Sequence, residues 1–197
     1  MKLYLFGMDF TVYITLLPIV FMMHDFEELI FLKPWLGRNR EMLYQRFPTL
    51  ARKILPHLDR LSTNAFALAV AEEFILLSVI TYTAVLFEYY YVWFAALVAF
   101  TVHLLVHIGQ WLVLRRYIPA IVTSLLSLPY CLYTLYLFCR ESRIGPAEGL
   151  LWSAGGLILM VLNLFLAHRL GTRLDAWLSV TAAPRPVPAR KSNQSLR

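Results

Sequence analysis

The chain has 197 residues, 59% of them hydrophobic and 15% charged, with a mean hydropathy of +0.62. Soluble domains are nearer to about 45–50% apolar, and several runs here reach the ~20 residues that cross a bilayer. This argues against a water-soluble domain. The length suits one domain and no second, and the net charge of +6 reads as membrane topology rather than nucleic-acid binding.

Residues 8–32 form the first apolar run. It is too long for a secretory leader, and no small-residue cleavage site follows it. It is expected to be a transmembrane helix, kinked at Pro18. Residues 33–62 carry seven positive side chains, and Leu50, Ile54, Leu58 and Leu61 fall on one helical stripe. A basic amphipathic helix of this kind lies in the headgroup plane, here broken into short pieces by Pro48 and Pro56. Further spans are expected over 63–87, 91–114, 118–138 and 149–168.

Local signals mark these spans. Tyr89, Tyr90, Tyr91 and Trp93 suit an interface at the start of the third, and Pro119 opens the fourth. In the fifth, Gly155 and Gly156 are small enough for close backbone approach, and Ala65 and Ala69 of the second offer a small-residue path to another helix. Cys131 and Cys139 lie eight apart in one helix, ~12 Å by helical rise, too far for a disulfide; both read as buried free thiols. The tail from Ala182 onward has no apolar periodicity and is expected to be disordered.

Positive charge fixes a direction for this five-span, all-α bundle. The first loop, Arg115–Arg116 and the tail share one side and hold fifteen Lys and Arg; Lys2, Arg140 and Arg143 are left for the other. A bias of this size puts the N-terminus outside and the C-terminus in the cytoplasm.

Ionisable residues inside a bilayer are costly, so each needs a reason. The first span contains His24-Asp25-Phe26-Glu27-Glu28. Positions 24, 27 and 28 share a helix face, and Asp25 points about 100° away. The second span contains Glu72 and Glu73, and the third contains His103 and His107, one turn apart. At ~1.5 Å per residue, His24, Glu73, His103 and His107 all fall ~10–16 Å from the cytoplasmic ends of their helices. Asn163 of the fifth span lies at a similar level. Imidazoles and carboxylates converging in a dry bundle suit a divalent metal such as zinc, iron or manganese. His24, His103, His107, Glu28 and Glu73 are the candidate ligands and Glu27 the candidate proton carrier, with Glu72 and Asn163 around them. The same acids could serve as a proton relay or as hydrogen-bonding glue between helices.

The run His24-Asp25-Phe26-Glu27-Glu28 resembles the motif of the bacterial membrane family named for HXXEE. The later His103-x-x-x-His107, Arg115-Arg116-Tyr117-Ile118-Pro119, Thr123 and Pro129 are similar to that family's pattern, with Ala120 where Gly often follows the Pro. The resemblance implies a bacterial inner-membrane location and supports treating His24, Glu27, Glu28, His103 and His107 as one site. It implies no reaction. Histidine-box hydroxylases and desaturases are a more distant comparison, and they use more than the five histidines present.

The sequence therefore leads to a multi-pass membrane protein in contact with lipid. The preferred function is a metal-dependent enzyme acting on an apolar or lipid substrate. A small proton-coupled transporter or binding protein is the rival, and a structural membrane subunit the third reading.

Overall fold

The computed structural model describes residues 9–141 and 143–181. Pro18 acts as expected. A short helix α1 (Phe10–Thr15) stops at Leu16, and α2 (Leu17–Arg46) restarts with Pro18 in its first turn, where a missing N–H breaks no bond. Helix α2 then runs well past the apolar segment. It ends at Phe47, and Pro48 opens α3 (Pro48–Arg60). Four further helices follow: α4 (Thr63–Phe87), α5 (Tyr91–Leu114), α6 (Ile121–Arg140) and α7 (Pro146–Thr181). No strand occurs among the described residues.

Among the described residues, four helices are long and apolar enough to cross a membrane: α4, α5, α6 and residues 146–175 of α7. Helix α2 is not among them, because its apolar first half carries Asp25, Glu27 and Glu28. Helices α2, α4, α7, α5 and α6 contact one another in that cyclic order, so they close into a ring. Small residues set the tightest contacts. A Cβ on Gly156 would lie 2.6 Å from the Ala95 carbonyl oxygen, and one on Gly171 would lie 2.9 Å from that of Ala65. Gly155 faces open space, so only one of the expected glycine pair makes the approach. Apolar packing fills the half of the bundle around α1, where Trp93 stacks on Phe138 at 5.3 Å and Leu17, Leu97 and Leu104 are fully buried. Large apolar side chains cover the outside, with α7 the least buried of the four.

Three expectations change. Residues 33–62 break at Pro48 as expected but not at Pro56: α2 continues as helix to Arg46, and α3 passes through Pro56 without stopping. Pro56 removes one donor opposite Arg52, on an exposed turn. Ala51 and Leu55 are the residues α3 buries against Leu36 of α2, whereas Leu50 and Ile54 of the expected stripe point outward. Cys131 is a buried free thiol, but Cys139 is exposed. The tail from residue 182 lies outside the described residues.

Candidate metal centre

Helical periodicity alone puts His24 and Glu28 on one face of α2, and His103 and His107 on one face of α5. The fold turns these faces toward each other. The His24 ring lies 5.1 Å from both His103 and His107, centroid to centroid, and the latter two are 4.6 Å apart. His103 Nε2 and His107 Nε2 approach to 3.1 Å, and His107 Nε2 lies 3.7 Å from Glu28 Oε2. One ligand atom from each of His24, Glu28, His103 and His107 falls within 4.8 Å of the others. Bonds of ~2.0–2.1 Å around a tetrahedral ion hold donors roughly 3.3 Å apart, so this set could hold a metal.

The strongest sign is at His24, which is fully buried. Its Nδ1 lies 3.3 Å from Thr123 Oγ1, and that hydroxyl lies 2.6 Å from Glu27 Oε2. The hydroxyl has one proton, and the carboxylate is the better acceptor. Thr123 therefore donates to Glu27 and accepts from His24 Nδ1–H. That tautomer leaves a lone pair on Nε2, which is buried and has no hydrogen-bond partner. An unsatisfied buried acceptor is expensive. A ligating histidine shows the same pattern, with its second nitrogen fixed by a hydrogen bond and the first free for an ion.

Glu27 has a local reason to be where it is. Ala120, the N-cap of α6, has φ 68° and no side chain to cap the helix. The first amides of α6 lack partners, and Glu27 supplies them from α2. Its Oε2 accepts from Thr123 N at 2.8 Å, and its Oε1 accepts from Val122 N at 3.4 Å and from the Tyr117 hydroxyl at 2.9 Å. A negative charge at a helix N-terminus is favourable in itself. Burial, then the hydrogen bond to Glu27, pushes the Tyr117 phenol up to about 12, so it stays a donor at any physiological pH. Both oxygens of Glu27 are thus engaged, an arrangement suited to holding neighbours in place.

The remaining acids form a trail away from the histidines. Asp25 is buried and, with Glu28, lies close enough to Glu73 of α4 for their charges to interact. Glu73 itself is not among the four convergent ligands. On the far side, Asn163 Nδ2 of α7 donates to Glu72 Oε2 at 3.2 Å. Among the described residues no lysine or arginine pairs with these acids. Sequence reasoning did not give Thr123 or Tyr117 a role. The signal available was the HxxE spacing, which puts a carboxylate one turn from a histidine, together with an uncapped helix start after Pro119.

No curated protein and no solved structure matches the chain. The family described as "Protein of unknown function with HXXEE motif" matches residues 15–134, more than half of the 197. That stretch includes His24, Glu27, Glu28, His103, His107 and Thr123, and leaves out Asn163. The motif is the part of α2 that faces α5 and α6, and the chain belongs to the HXXEE family.

Proposed function

We propose that this protein is a multi-pass membrane metalloenzyme of the bacterial inner membrane, acting on an apolar or lipid substrate. In this reading α1 and the first half of α2 make a fifth span, with the N-terminus outside and the C-terminus in the cytoplasm. His24, Glu28, His103 and His107 bind one divalent transition metal, zinc, iron or manganese. The observation that carries the reading is the buried, partnerless Nε2 of His24 among three other donors. Three imidazoles and a carboxylate suit these metals, and such an ion, when bound, would activate water or oxygen at a site sheltered by apolar side chains. Glu27 and Thr123 orient His24. Glu73, outside the donor set but electrostatically in touch with Glu28, is the acid with capacity to take a proton.

Metal analysis of protein purified without chelators tests this. Near-stoichiometric transition metal is expected, lost in the His103→Ala/His107→Ala variant and kept in His57→Ala, whose residue is exposed on α3. Metal-free wild-type protein, or metal retained by the double variant, would sink the proposal.

One observation favours a second reading. Asp25, Glu28, Glu73 and Glu72 lead from α2 to α4 and on to Asn163, with no lysine or arginine partner among the described residues, as a proton relay would. A proton-coupled transporter predicts metal-free protein and a pH-driven flux in liposomes that Glu73→Gln abolishes.

A further inference from the structure

A second feature lies on the other side of Tyr117. A cavity of about 280 Å³ opens between α2 and the α5–α6 connection, walled by Phe31, Trp35 and Tyr117 and crowned by Arg38, Asn39 and Arg116. Its walls are fixed. Trp35 Nε1 donates to the Tyr117 carbonyl at 2.6 Å, Asn39 Nδ2 donates to the Trp35 carbonyl at 2.9 Å, and the Phe31 and Tyr117 rings meet edge to face at 6.3 Å. Nearby, Arg46 is used up on the carbonyls of Val113 and Leu114, and Arg40 on Asp59. Arg38 and Arg116 differ: among the described residues neither makes a hydrogen bond or an ion pair. No acid lines the cavity.

We propose that this cavity is the headgroup subsite for an anionic phospholipid, which names the substrate class of the enzyme proposed above. Two unpaired guanidinium groups offer the planar donor forks that match phosphate oxygens. Arg116 lies just past the end of α5 at Leu114 and Arg38 joins it from α2, in the proposed orientation the level at which headgroups meet a basic helix end. Phe31 of the cavity wall and its sequence neighbour Ile30 are exposed apolar side chains that acyl chains can cover. Tyr117 is shared by the two sites. Its ring lines the cavity, and its hydroxyl holds Glu27, which holds Thr123, which holds His24. A lipid seated against Tyr117 is therefore three hydrogen bonds from the imidazole.

Lipid binding rests on the membrane reading alone and the substrate assignment also on the metalloenzyme reading, and the test keeps the two apart. Native mass spectrometry of the full chain, released from mixed micelles, counts bound phosphatidylglycerol against phosphatidylcholine, with metal content measured on the same samples. Wild-type protein is expected to retain one phosphatidylglycerol with a preference on the order of tenfold. Arg38→Gln/Arg116→Gln is expected to lose that preference, Arg38→Lys/Arg116→Lys to keep part of it, and Arg52→Gln/Lys53→Gln, on the exposed face of α3, to keep all of it. No preference in the wild type overturns the proposal, as does equal loss in the α3 pair, which would mark diffuse surface attraction. Displacement by millimolar inorganic phosphate would assign the site to a free anion and overturn the lipid. Loss of lipid preference with metal retained separates this site from the histidines.

Discussion

The neighbouring glutamates Glu27 and Glu28 divide their work. Glu28 looks toward the imidazoles, while Glu27 looks toward α6 and steadies His24 through Thr123. Removing the Thr123 hydroxyl should therefore leave the four donors present but His24 free to turn. For Thr123→Val we expect metal affinity to fall ~10–100-fold, as for other lost outer partners of ligating histidines, with near-normal helicity, measured by chelator competition and circular dichroism. Unchanged affinity would remove Thr123 from the site. The four convergent residues were legible in the sequence because one-turn spacing fixes a shared face whatever the rest of the fold does. The rotation of α4 was not, so Glu73 was expected at the ion and lies outside the donor set. Thr123 was invisible as a partner because its contact depends on the turn at Ala120, a left-handed backbone position that Gly adopts more easily.

Among the helices, α7 is fastened by absent side chains. Gly156 lies against the Ala95 carbonyl of α5 and Gly171 against that of Ala65 in α4. Without a hydrophobic drive between apolar helices in lipid, close backbone packing is what holds such a helix. Gly156→Ala should push α7 from α5 and lower stability by about 1–3 kcal/mol. Gly155→Ala, with open space around it, should be neutral or slightly stabilising. Thermal unfolding in detergent compares them, and equal effects would refute the packing argument. Span positions were readable from apolar length. The ends were set by features that composition averages away. Helix α6 starts at Ile121 rather than at 118 because Ala120 takes a left-handed conformation, and α2 extends through the basic stretch because Arg46 docks on the end of α5.

For the whole molecule, ring closure brings α2 between α4 and α6 and gives the histidines and the acid trail one enclosed setting. The proposed orientation has a direct check in the two cysteines. Cys139, exposed at the end of α6 beside Arg140, should react with a membrane-impermeant maleimide added to intact cells, and buried Cys131 should not. Labelling of Cys139 only after permeabilisation would invert the topology. The first run was legible as apolar, yet among the described residues it lies mostly in a long helix, α2, whose acids keep it from qualifying alone as a span. Each intramembrane acid penalises entry into lipid by on the order of 3 kcal/mol. In the proposed five-span reading this segment is thus less able to settle by itself than the apolar helices that follow it. Its carboxylates find the amides of α6 and the imidazoles of α5 as partners, so in that reading the insertion machinery would retain this helix until those later neighbours emerge.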